Sequence, residues 1–184
     1  MAHLSRVVAG GYRLAELERA SLDIVMPAAW LHDCVHVPVT SPERSRASVM
    51  AGDAATTFLR GIGYQESLLP PIHHAISAHS FSAKIAPQTV EAKVVQDADR
   101  LDAIGAIGIA RCLMLGGQMG RTLYDESDPF AEHRVPDDRV SSIDHFYTKL
   151  LTLAGTMQTA AGRAEAELRT AFMREYLDQL RREL

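Results

Sequence analysis

The chain has 184 residues, a formal net charge of −4 and 47% hydrophobic residues, the size and balance of one domain with a real core. Only 23% of the residues are charged, with 12 Gly and 8 Pro, which excludes a disordered or collagen-like chain. The acidic balance argues against a nucleic-acid polymer as partner, because neutralising many phosphates takes a basic excess; a small anionic ligand stays open. Cys34 and Cys112 form no CxxC pair, which disfavours a disulfide framework or thiolate zinc site and fits a reducing cytoplasm. No window approaches the roughly 18 apolar residues of a membrane span, and the N-terminus lacks the order of a signal peptide. No membrane partner is expected.

Alanine supplies 26 residues and aromatics only 11, a bias that predicts an all-α fold. A first helix is expected over about residues 2–19, with Leu4, Val7, Val8, Leu14, Ala15 and Leu17 at helical spacing. A second starts near Asp23 as N-cap, which places Pro27 close to its first turn, and carries Ala28 to Asp33. The Cys34 to Val39 segment ends it. Ser41-Pro42-Glu43 is a helix start, with a capping hydroxyl, a proline at the first position and an acid for the dipole, and Gly61 and Gly63 close that helix. The next begins near Pro71 and carries His73, His74 and His79, read as surface or packing residues for the first two; a loop follows from Ser80 to Pro87. Thr89 caps a long apolar-periodic stretch that runs to about Leu115, where Gly105 and Gly108 allow close packing. Residues 116–140 read as a long loop. Helix resumes over Ile143 to Leu153 and again over Met157 to Arg182. That last helix offers a face to the domain or to a second copy of the chain, so a homodimer is one expected assembly. The Gly116 to Arg121 run lacks a Gly-Lys-[Ser/Thr] ending and follows a helix, so it is not a phosphate loop.

The chemistry lies in three places. His32-Asp33 sits at the end of an otherwise apolar helix; such a dipeptide is expected by chance roughly one half of a time here, so its context decides. Neighbours on a helix diverge by about 100°, so both serve one centre only beside the helix terminus. His3 opens the first helix. The run Asp97-Ala98-Asp99-Arg100-Leu101-Asp102 puts three carboxylates into a core-like helix, which is costly to bury without a cation. Two imidazoles and two carboxylates make a mixed nitrogen and oxygen set suited to Mn²⁺, Fe, Co or Ni.

His3-x-x-Arg6-Val7, His32-Asp33 and Ala98-Asp99-Arg100-Leu101 together resemble the H…HD…D signature of the HD-domain metal-dependent phosphohydrolases. The Ser41 to Ser45, His79 to Ser82, Val95 to Gly108, Asp128 to Phe130 and His145 to Leu151 segments are similar to the YedJ/YpgQ-like branch of that superfamily. The likeness runs from His3 to about Gly162. It implies a single HD helical-bundle domain over 1–184, with His3, His32, Asp33 and Asp99 as metal ligands. Asp99 is preferred to Asp97 because it is the acid of the Ala-Asp-Arg-Leu motif; Asp97 and Asp102 are read as solvent-facing acids or as partners that orient a ligand. Family members carry a further segment before the first histidine, whereas this chain begins two residues before it, which bears on how firmly His3 is anchored. His79 matches one of two extra histidine positions of binuclear relatives, and Arg44 to Ser48 supplies no second, so one divalent ion is expected, Mn²⁺ first, with Mg²⁺, Co²⁺, Ni²⁺ and Fe²⁺ as alternatives.

Such an ion would polarise a phosphoryl oxygen and acidify a water. The expected activity is hydrolysis of a phosphate ester or phosphoanhydride, with a nucleotide as the first choice of substrate, by a triphosphate pyrophosphohydrolase or nucleotidase. His79, with Asp33, is the expected proton carrier. Arg44, Lys93 and Arg100 are expected on phosphate oxygens, and His145 and Lys149, four apart, on one helical face over the ligand. The competing readings are a cyclic or dinucleotide phosphodiesterase and a non-catalytic metal- or nucleotide-binding module.

Overall fold

The computed structural model describes residues 2–38 and 41–184. Eight α-helices form among them, with no β-strand: α1 (Ala2–Glu18), α2 (Leu22–Leu31), α3 (Ala47–Gly61), α4 (Leu69–His79), α5 (Val90–Leu101), α6 (Gly105–Gln118), α7 (Asp144–Thr148) and α8 (Ala160–Glu183). Three 3₁₀ turns accompany them, Pro42–Arg46, Glu66–Leu68 and Leu150–Thr156. No single helix among the described residues is long and apolar enough to cross a membrane.

The helix starts follow local chemistry. The Ser41 hydroxyl accepts from the Glu43 N–H at 3.2 Å, but the turn it caps is 3₁₀ before α3 begins. Thr89 accepts from the Ala92 N–H at 3.2 Å, as its place before α5 predicts. Helix α2 differs from expectation: it starts at Leu22 behind Ser21, so Asp23 lies in the first turn and Pro27 inside the helix. A proline there denies a donor to the carbonyl four residues back. That carbonyl belongs to Asp23, and the Tyr64 hydroxyl donates to it at 2.7 Å. The helix ends at Leu31, with His32 as its C-cap and Asp33 in the turn that follows; Val39 lies outside the described residues.

The long stretch expected from Thr89 to Leu115 is two helices. The break spans Asp102 to Ile104, and Gly105 opens α6 with φ +75, a conformation that glycine adopts readily. A Cβ on Gly108 would stand 2.3 Å from the Ala103 carbonyl oxygen. Both glycines therefore serve the break. Helix after Ile143 is also shorter than expected, five residues of α7 and then a 3₁₀ turn.

The chain forms two compact units, Met1–Asp99 with Gln158–Gly162, and Arg100–Met157 with Arg163–Leu184. In the first, α1 packs on α2, α2 on α4, and α3 on α4, around Val7, Val25, Ala28, Ala55, Leu69, Ile72 and Ile76. In the second, Phe146 and Tyr176 stack at 6.0 Å between centroids, and Ile104, Ile143 and Met173 are fully buried. The long 116–140 segment of that unit is held by one buried acid: Asp144 accepts from Arg134 Nη1 and Nη2 at 2.5 and 2.7 Å and from the Asp137 N–H at 2.6 Å.

Candidate metal centre

Three helices of the first unit and the start of a fourth bring five side chains together. Gly10 lies two turns beyond His3 on α1, hence on nearly the same face. A Cβ there would stand 3.9 Å from the Cβ of Ala98, the residue before Asp99 on α5. The two helices approach closely at this point, and His3 Nε2 stands 3.4 Å from Asp99 Oδ1. His32 and His79 come from the ends of α2 and α4. The His32 ring is 5.7 Å from that of His3 and 4.9 Å from that of His79, edge to face in both cases.

The two helix-end histidines are held alike. Nδ1 of His32 donates to the Ala29 carbonyl at 2.8 Å, and Nδ1 of His79 donates to the Ile76 carbonyl at 2.6 Å. A carbonyl only accepts, so each Nδ1 carries the hydrogen, and in the neutral ring Nε2 is left as a bare lone pair. The same arrangement orients histidines that ligate metals. Each ring also lies at a helix C-terminus, where the macrodipole favours positive charge.

His32 is completely buried, and its Nε2 has no hydrogen-bond partner. Asp33 Oδ2 and Asp99 Oδ1 stand 3.6 and 3.8 Å from it, too far for a hydrogen bond. A buried nitrogen without a partner beside two carboxylate oxygens is a place where a bound cation would satisfy all three. Two triplets have donor atoms within 4.8 Å of one another: His3, His32 and Asp99, and His32, Asp33 and His79. His32 belongs to both. These residues fit a divalent ion by donor type and by the buried atom left without a partner.

The electrostatics are mutual. Burial pushes the Asp99 carboxyl up, but the hydrogen bond from His3 and the charges of His79, His32 and His3 together hold it below the ordinary range. Burial lowers His79 against the pull of Asp99, the Ile76 carbonyl and Asp33, with His32 adding to the lowering, so the net is a neutral ring. Its Nε2 is 3.7 Å from Asp33 Oδ1.

The remaining residues singled out in the sequence are placed otherwise. Asp97 is fully buried and accepts from the Gln158 N–H at 2.9 Å, the Thr159 N–H at 2.8 Å and the Thr159 hydroxyl at 2.7 Å, just before α8. Asp102 is buried and accepts from Arg111 at 2.7 Å. Arg44 donates to the Val37 carbonyl at 3.0 Å, and Arg100 to the Thr156 carbonyl at 2.6 Å. Lys93 lies six residues before Asp99 on α5, about 120° away around the helix. His145 pairs with Asp138 at 2.7 Å in the second unit, and Lys149 lies just beyond the end of α7.

Sequence reasoning passed over two residues beside the centre. Gln96 Nε2 donates to the Ala78 carbonyl at 2.6 Å and Ser48 Oγ to the Ser77 carbonyl at 2.9 Å. Neither has a sequence signal, because the acceptors are main-chain atoms of a helix end brought in from elsewhere.

Residues 1–104 match the HD domain family, and all five residues of the cluster fall within that segment. The chain belongs to the HD domain family. The uncharacterized protein YpgQ of Bacillus subtilis (strain 168) is 38% identical over 186 residues, 99% of this chain and 82% of the relative. The crystal structure of YpgQ in complex with ADP matches with a TM-score of 0.77, over 100% of this chain and 85% of that one. An HD-superfamily hydrolase from Bacillus thuringiensis is 34% identical with a TM-score of 0.77, over 99% and 84%. By descent this HD protein stands with the HD-superfamily hydrolases.

Proposed function

We propose that this HD protein is a metal-dependent phosphohydrolase acting on a phosphate ester or phosphoanhydride of a nucleotide, a nucleoside triphosphate first among them. The observation that carries the reading is the pair of buried helix-end histidines, each anchored through Nδ1, that turn their Nε2 atoms toward Asp33 and Asp99. His3, His32, Asp33 and Asp99 would hold one divalent ion, Mn²⁺ by preference for such a donor set, with Mg²⁺, Co²⁺, Ni²⁺ and Fe²⁺ as competitors. Bound there, the ion supplies a Lewis acid for a phosphoryl oxygen and lowers the pKa of water.

The chain's own groups then handle the proton. Neutral His79 takes it at Nε2 from the attacking water, and Asp33, beside it, stabilises the imidazolium that forms. Arg44, Lys93 and Arg100 remain proposed for phosphate oxygens, and His145 and Lys149 for contact with the ligand, on the side-chain chemistry read in the sequence. A nucleotide is supported by the ADP complex of YpgQ. On this reading the whole chain acts as one HD domain in the cytoplasm, alone or as a homodimer, with no nucleic-acid polymer as partner.

The test is a panel of nucleotides, cyclic nucleotides and dinucleotides with Mn²⁺, with phosphate and pyrophosphate detected separately, since the product identifies the bond. Asp33→Ala and Asp99→Ala should lose both metal uptake and product release. Full activity in metal-free Asp33→Ala protein overturns the mechanism. Metal binding without product from any substrate makes the chain a binding module.

A further inference from the structure

We propose that Gln96 is a positioning residue that clamps the last turn of α4 and so sets the His79 ring against Asp33 and Asp99. The inference rests on the function proposed above for His79. A helix end leaves its last carbonyls without intrahelical donors, and water commonly serves them. At the end of α4 three successive carbonyls are served by side chains. Ile76 receives the His79 ring, Ser77 receives the Ser48 hydroxyl from α3, and Ala78 receives the Gln96 amide from α5. Ser48 and Gln96 are both only 3% exposed.

The Gln96 amide has one sensible orientation, because its oxygen turned toward Ala78 would set two acceptors face to face. With Nε2 on that carbonyl, Oε1 is left buried without a partner. An apolar residue of the same length would avoid this orphaned acceptor. What it would not do is fix the direction of the peptide that leads into His79. Gln96 also lies three residues before Asp99, on the same side of α5. One amide thus ties the element carrying Asp99 to the helix end carrying His79.

The experiment compares wild type with Gln96→Met, and with Ser48→Ala, which loosens the same helix end from α3. Hydrogen exchange of the imidazole Nδ1–H groups is followed by NMR in ¹⁵N-labelled, metal-free protein. Either substitution should speed exchange at His79 about tenfold and leave His32 unchanged, as expected for loss of a neighbouring orienting bond. With Mn²⁺ and the best nucleotide of the panel, Gln96→Met should lower kcat about tenfold with KM within about twofold. In a His79→Ala background it should lower kcat no further, since the two act as a unit. Unchanged exchange at His79, equal acceleration at both rings, or additive losses in the double variant overturn the proposal. If wild type hydrolyses nothing, the functional reading fails by that result, while the exchange data still decide whether Gln96 holds His79.

Discussion

Asp97 and Asp99, two residues apart on α5, face different tasks. Asp99 turns to His3 at 3.4 Å, whereas Asp97 is fully buried and receives the Gln158 and Thr159 N–H groups ahead of α8. Two residues on a helix diverge by about 200°, so neighbouring acids of one motif reach opposite sides of the element. One belongs to the centre and the other to the architecture.

Substitution should separate these tasks. Asp97→Ala leaves several buried donors without an acceptor and should cost about 2–4 kcal/mol of stability. Asp99→Ala should abolish divalent-metal uptake while costing less stability than Asp97→Ala, because the Asp99 carboxyl is 28% exposed whereas Asp97 is fully buried. Denaturant melts and metal titration on both variants check the contrast.

The Asp97 contact also depends on the absence of a side chain. A Cβ on Gly162 would stand 2.4 Å from Asp97 Oδ2 and 2.7 Å from Thr159 Oγ1. Gly162→Ala should therefore destabilise by about 1–3 kcal/mol through overpacking, although alanine is the better helix former. A rise in the urea midpoint would contradict this account.

In the second unit, Asp144 is fully buried and chelated by Arg134. Arg134→Met removes the countercharge and leaves the buried carboxylate stranded, which should lower the melting temperature. The double variant Arg134→Met with Asp144→Leu should recover part of the loss. Thermal melts of the two variants give the comparison.

The Asp138 and His145 pair predicts an acid limb. The His145 hydrogen bond, with lesser help from the Thr148 hydroxyl and the charges of His145 and Arg121, holds the Asp138 carboxyl below its usual range against a smaller opposite push from burial. A carboxylate depressed in the folded state contributes stability above its unfolded pKa of about 3.9, and that contribution fades as pH falls through the lower folded value. Asp138→Asn should thus be less stable than wild type at pH 6, with the gap closing below about pH 4. A gap that widens on acidification would refute the pairing.

Much of this molecule is legible in one dimension. Alanine-rich apolar periodicity predicts the helices, and Thr89 and Gly61 mark ends within a residue or two, whereas Ser41 caps a 3₁₀ turn six residues ahead of α3. Local rules also place His32 and Asp33 at a helix terminus. They do not locate the break at Asp102 to Ile104, because it depends on how Gly105 and Gly108 approach the Ala103 backbone, and the apolar period runs through it unchanged.

Spacing and composition by themselves pointed to the all-α class and to the need of three clustered acids for compensation, while the resemblance to HD-domain proteins singled out the H…HD…D residues. Only the tertiary structure decided how each acid is compensated: Asp97 by main-chain donors before α8, Asp102 by Arg111, and Asp99 by histidines from α1, α2 and α4. The reason is physical. Compensation acts over a few ångströms between groups far apart in the chain, and the same side chain caps a helix or joins a metal centre according to which element is packed against it.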